Sequence, residues 1–222
     1  MSGTMTTGEG TAAGPGAEEA VRWAALGDSF TAGIRPGELT WSRLVVELVS
    51  PTRPVELANY ARAGATVAEL EREQLEAAIA TRPDIVTLIC GGNDVIGTVR
   101  PSLEGFGAGL DRVWASLRGA LPDAAILTAT YPAIAPGALR PRTRRRIESG
   151  LVELNATIRA VASRNEGLCI ELADHPGEGD RSNYAADGIH PSAAGHRAAA
   201  AVLGPAIEQL IERRSSEKEE VR

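Results

Sequence analysis

Residues 84–94 read Asp84-Ile85-Val86-Thr87-Leu88-Ile89-Cys90-Gly91-Gly92-Asn93-Asp94. The first seven form a short run in which apolar residues follow one another without alternation, and two glycines and two polar residues end it. A strand with one wet face alternates; a strand covered on both faces does not. The run therefore predicts a strand, Asp84–Cys90, buried on both sides. Comparable runs predict strands at Val21–Leu26, Val55–Tyr60, Ala124–Thr130 and Leu168–Leu172. Longer amphipathic stretches between and after them predict helices at Thr40–Val49, Thr66–Ala80, Leu103–Leu121, Thr143–Arg164 and Ser192–Arg213. Strands that alternate with helices pair in parallel and carry helices on both faces.

The 222 residues suit one domain, and 43 % of them are apolar while only 4 % are aromatic. Alanine, valine, leucine and isoleucine must then fill the core, and few rings remain for stacking on single-stranded nucleic acid or sugars. A net charge of −6 makes no electrostatic case for nucleic acid or an anionic membrane surface. Residues 1–20, rich in Gly, Thr, Ala and Glu, read as a disordered leader. Residues 21–213 read as the domain, and 214–222 as a charged tail, a frayed and solvated helix end. With no basic segment followed by an apolar one at the N-terminus, and no run near the ~20 apolar residues of a membrane span, a cytoplasmic protein is expected. The oligomeric state is not legible.

On a parallel sheet, ligands bind beyond the carboxyl ends of the strands. Four predicted strands lead there into polar or glycine residues: Gly27-Asp28-Ser29-Phe30, Ala61-Arg62-Ala63-Gly64, Gly91-Gly92-Asn93-Asp94 and, through a long loop, Asp187-Gly188-Ile189-His190. Ester cleavage requires a nucleophile, a base, a group that orients the base, and donors for the developing oxyanion. Ser29 fits the nucleophile, on a tight turn that Gly27 permits. His190 fits the base, and Asp187, three residues earlier, fits the group that fixes its tautomer, as a buried carboxylate. The backbone N–H groups of Ser29 and Gly64 and the carboxamide of Asn93 fit the oxyanion hole. Taken singly, each residue has an ordinary reading: a turn or cap serine, a loop glycine, a turn asparagine, a histidine that caps the last helix.

Together, in this order, Gly27-Asp28-Ser29-Phe30, Gly64, Gly91-Gly92-Asn93-Asp94 and Asp187-Gly188-Ile189-His190 resemble the four signature blocks of the SGNH (GDSL-type) hydrolases, over about residues 21–213. The resemblance implies Ser29, Gly64, Asn93 and His190 as the named residues of the family, with Asp187 completing a triad. Phe30 stands where the family's name implies leucine, on a core or pocket wall. Thr31 breaks the Gly-x-Ser-x-Gly elbow of the α/β-hydrolases, and the serine lies early in the chain, which also argues against that fold. The expectation is an α/β fold, a three-layer α/β/α sandwich whose five-stranded parallel sheet has the flavodoxin-like order 2-1-3-4-5. The expected function is that of a serine esterase acting on a small-molecule carboxylic ester through an acyl-Ser29 intermediate, without metal or cofactor. The alternatives are acyl transfer by the same residues, or a non-catalytic binding protein, whose mark would be a missing site residue.

In that strand order Cys90 and Cys169 lie about 9–10 Å apart, too far for a disulfide. Both sit in apolar runs and read as core thiols. His196, inside a helical run, reads as structural and His175 as a solvated loop residue. Asp28 and Asp94 read as holders of local backbone N–H groups. Residues 131–142 and 173–189 are long enough to be lids. Arg140, Arg142, Arg144, Arg145 and Arg146 form a basic cluster where a helix N-terminus disfavours cations, so contact with an anionic substrate group stands beside a solvated helix start.

Overall fold

The computed structural model describes residues 19–220 except 52, 138, 174 and 178. Residues 1–18 of the expected leader lie outside the described residues. Five strands, β1 (Val21–Gly27), β2 (Val55–Asn59), β3 (Ile85–Ile89), β4 (Ala125–Ala129) and β5 (Leu168–Ile170), form one sheet. All pairs are parallel and the order is β2-β1-β3-β4-β5. The registers place Trp23 opposite Leu57 on β2 and Ile85 on β3. The expected α/β/α class and strand order are observed.

Among the described residues eight α-helices accompany the sheet: α1 (Ser29–Ala32), α2 (Trp41–Val49), α3 (Val67–Glu73), α4 (Leu75–Ala80), α5 (Gly92–Ile96), α6 (Leu103–Ala120), α7 (Pro141–Arg164) and α8 (Ala193–Glu220). Right-handed crossovers dictate their layers. The step from β1 outward to β2 runs opposite to the later steps through β3, β4 and β5, so α2 lies on one face and α3, α4, α6 and α7 on the other. α8 then returns to pack on α2. Every residue of β3 is buried, as the lack of alternation predicts. The core holds all three tryptophans, Trp23, Trp41 and Trp114, and the Trp23 indole N–H donates to Thr87 Oγ1 on the neighbouring strand at 3.0 Å.

Three departures from expectation have physical causes. The helix expected at Thr66–Ala80 is two helices, broken at Gln74, whose buried side chain is turned to the end of β1. The short helices α1 and α5 have too few turns to show periodicity. α8 continues past Arg213 to Glu220: Ser215 is buried, and Lys218 Nζ lies 2.9 Å from Asp84 Oδ2 and donates to the Ala20 carbonyl at 3.1 Å. The charged run is docked along the amino ends of β1 and β3 through Lys218. Cys90 and Cys169 are free thiols on either side of β4. Among the described residues no helix is long and apolar enough to cross a membrane.

Candidate active site

The site begins where the ladder of β1 ends. Gly27 has φ +155°, and a Cβ there would stand 2.1 Å from the Ile89 carbonyl oxygen, so no other residue fits beside β3. On its other side β2 has already stopped at Asn59, leaving the Gly27 amide without a strand partner. Gln74 takes that place: Gly27 N–H donates to its Oε1 at 2.9 Å, and its Nε2 donates to the Gly27 carbonyl at 2.9 Å. Asp28 follows and caps α1, its Oδ1 accepting from Phe30 N–H at 2.9 Å. Ser29 opens the helix and is 7 % exposed.

A matching device holds the end of β4. Tyr131 N–H donates to Asn155 Oδ1 at 2.7 Å, and Asn155 Nδ2 donates to the Tyr131 carbonyl at 2.8 Å. The two anchored segments meet where Tyr131 O–H donates to Asp28 Oδ2 at 2.7 Å. Burial pushes the Asp28 carboxyl up to about 6, against the opposing pull of Tyr131, the Phe30 and Gly92 N–H groups and the His190 charge. Burial likewise drives the Tyr131 phenol well above its ordinary value. Sequence reasoning placed Asp28 correctly as a holder of backbone N–H groups but missed Tyr131, Gln74 and Asn155. The only sequence signal of Gln74 and Asn155 is a carboxamide inside an apolar helical stripe, and Tyr131 has none.

The second and third strand ends meet each other. Gly64 has φ +84°, and a Cβ there would meet nothing. Asn93, in α5, donates from Nδ2 to the Ala65 carbonyl at 3.1 Å, which ties it to the Gly64 loop. Asp94 Oδ2 accepts from Val67 N–H at 3.1 Å and joins the same loop to α5 from the other side. Burial pushes Asp94 up to about 6 as well. Among the described residues, the backbone N–H groups of Ser29 and Gly64 have no acceptor.

The fourth block forms a turn. His190 Nδ1 lies 2.6 Å from Asp187 Oδ2, while Asp187 Oδ1 accepts the N–H groups of Ile189 at 2.9 Å and His190 at 3.0 Å. Against the rise that partial burial causes, these bonds hold the Asp187 carboxyl below its usual range. Its side chain is 42 % exposed, so the buried carboxylate expected from the sequence is instead a half-exposed one kept in place by three hydrogen bonds. The preceding loop is stiffened by Arg181, which donates to the carbonyls of Tyr184, Ala185 and Ala186 at 2.8–3.1 Å.

Ser29, Asn93 and His190 line one cavity of about 190 Å³; Gly64 lies outside its lining. Both long loops contribute walls, and they are latched together by Tyr184 O–H on the Ala133 carbonyl at 2.7 Å and Ala135 N–H on the Gly188 carbonyl at 2.8 Å. Phe30 is on the wall, its ring 6.1 Å from that of Tyr131. His175 is exposed, as expected, but also borders the cavity. His196 is a core residue whose Nδ1 accepts from Trp41 N–H at 3.3 Å, and burial lowers its pKa. None of the five arginines at residues 140–146 lines the cavity. Arg144 pairs with Glu148 at 2.7 Å, and Arg146 donates to the carbonyls of Val95 and Ile96, at 3.0 and 3.4 Å, and of Thr98. Arg146 thus serves the C-terminus of α5, where a cation is favourable, which accounts for a charge that the start of α7 itself disfavours.

The fold has known counterparts. A lipase/acylhydrolase from Enterococcus faecalis superposes with a TM-score of 0.72 at 20 % identity, covering 85 % of this chain and 96 % of the other. Axe2, an acetylxylan esterase from Geobacillus stearothermophilus, gives 0.66 at 20 % identity, covering 88 % and 96 %. No curated protein matches the sequence. The model of the GDSL-like lipase/acylhydrolase family matches residues 25–198, from the end of β1 through the His190 turn into α8, and the chain belongs to that family.

Proposed function

We propose that the chain is a serine esterase that hydrolyses a small-molecule carboxylic ester through an acyl-Ser29 intermediate. The observation that carries this reading is the pairing of His190 Nδ1 with Asp187 Oδ2 at 2.6 Å on a histidine that shares a cavity wall with Ser29. With Nδ1–H donated to Asp187, Nε2 is left unprotonated and able to act as the base. Ser29 Oγ attacks the ester carbonyl as its proton passes to His190 Nε2. The oxyanion that forms is met by the Ser29 and Gly64 N–H groups and the Asn93 carboxamide. His190 then protonates the leaving alcohol. Water repeats the sequence on the acyl-serine, giving one proton to His190 and releasing the acid as Ser29 regains its own.

The test is Ser29→Ala against p-nitrophenyl butyrate. Turnover should fall by at least about 10³-fold with an unchanged melting transition. A fluorophosphonate should label the unmodified protein at Ser29, as read by peptide mass. Retained turnover in the variant, or labelling elsewhere, would refute the assignment.

A further inference from the structure

Away from Ser29, Asn93 and His190, the cavity is walled by apolar groups. Its floor is the protein's own core: Ile134, Leu151, Leu172 and Ala199 line it, and each is between 4 and 6 % exposed. Ile96 and Val202 form part of the sides. Each of the other polar side chains on the wall has at least one partner within the protein, although His175 is itself exposed. Tyr131 O–H is held by Asp28, Tyr184 O–H by the Ala133 carbonyl, and Asn183 Nδ2 by the Gly177 carbonyl at 3.0 Å; His175 Nδ1 lies 2.8 Å from the Pro176 carbonyl. Both oxygens of Asp28 are engaged. No lysine, arginine or glutamate is among the lining residues.

Such walls discriminate by what they do not offer. A sugar hydroxyl or a carboxylate pressed against them would lose its water without gaining a partner, which is costly. An apolar group gains by the same transfer. At about 190 Å³ the space is somewhat larger than the roughly 150 Å³ apolar cavity that admits benzene. An acetyl group would leave most of it to water.

We infer that the cavity is an acyl pocket that selects neutral, apolar acyl groups of about six to eight carbons, or one aromatic ring, over acetyl and over charged acyl groups of equal length. The latches between the two loops keep the pocket preformed, so little ordering opposes binding. This inference rests on the esterase reading above.

The experiment is a series of p-nitrophenyl esters, acetate, butyrate, hexanoate and octanoate, with the mono-p-nitrophenyl ester of adipic acid as the charged partner of hexanoate. Because the leaving group is constant, kcat/KM reports the acyl part alone. Full burial is worth about fourfold per methylene, so hexanoate should exceed acetate by at least about tenfold and exceed the adipate ester by at least about tenfold. Ala198→Leu and Val202→Phe place bulk on two separate turns of the α8 wall; in either, the hexanoate-to-acetate ratio should fall by at least about tenfold. A flat or falling series in the unmodified protein overturns the inference while leaving the esterase reading intact. So does a ratio unchanged in both folded variants. If no ester is cleaved and no fluorophosphonate label appears, the esterase reading falls and the inference with it.

Discussion

Asp28 is buried beside the nucleophile candidate, and its own chemistry makes it testable. Its carboxyl sits at about 6 in the folded protein against 3.8 as a free side chain. The native state therefore holds this proton more tightly than the unfolded chain. The sign follows: the group's contribution to stability is fully present below about pH 4 and is lost as pH rises through about 6, a difference of about 3 kcal/mol. Asp28→Asn has no such proton to lose. Urea unfolding of both proteins between pH 4.2 and 7 should show the variant gaining about 2 kcal/mol relative to the unmodified chain as pH rises, the part of the full difference that this window spans. Parallel pH profiles would sink the claim. Residues that act through neighbours in sequence were legible: Asp187 and His190 are three apart, and Asp28 caps the helix two residues on. Tyr131 was not, because it meets Asp28 across 103 residues, and only the folded sheet brings the ends of β1 and β4 close enough for side chains to meet.

Among the elements, α8 shows where pattern reading fails. Ser-Ser-Glu-Lys-Glu-Glu has the composition of a solvated end, and no local rule reveals that one lysine within it has a destination. Lys218 and Asp84 have side chains only 18 % and 14 % exposed, and Asp84 Oδ2 also accepts Arg22 N–H at 2.8 Å. Lys218→Met keeps the aliphatic stem but removes the charge; stability should fall by about 1–2 kcal/mol, measured as a shift in the urea midpoint with unchanged slope. An unmoved midpoint would mean that the helix end is merely adjacent. The break at Gln74 is a comparable case. Helical periodicity runs through residues 66–80 without interruption, and the reason to stop lies in another element, the overhanging end of β1. The helices Ser29–Ala32 and Gly92–Ile96 escaped notice for a simpler reason, since four or five residues cannot display a 3.6-residue period.

For the molecule as a whole, strand order decides both where the site lies and what the thiols do. The sheet grows outward in two directions from β1 and β3, and the residues following those two strands, Ser29 and Asn93, face the same crevice. This much was legible because buried parallel strands leave an unalternating signature and because the polar residues gather at their ends. The same order keeps Cys90 and Cys169 apart. Under denaturing, non-reducing conditions a maleimide should label both; in the native state burial raises both thiols, Cys169 to about 11 and Cys90 well above its ordinary value, and Cys169 is half-buried while Cys90 is buried, so Cys169 should react slowly and Cys90 only after unfolding. Labelling of neither after denaturation would overturn the separation. The two carboxamides, Gln74 and Asn155, carry a consequence of another kind. Each mimics the next rung of a ladder that has run out of strand, so the N–H groups of Gly27 and Tyr131 are shut away from solvent deuterium although both lie at the sheet's end. Their release requires a deep opening of the fold rather than a local fraying. The turn that carries Ser29 thus keeps time with the core, and has nothing to rebuild between one encounter and the next.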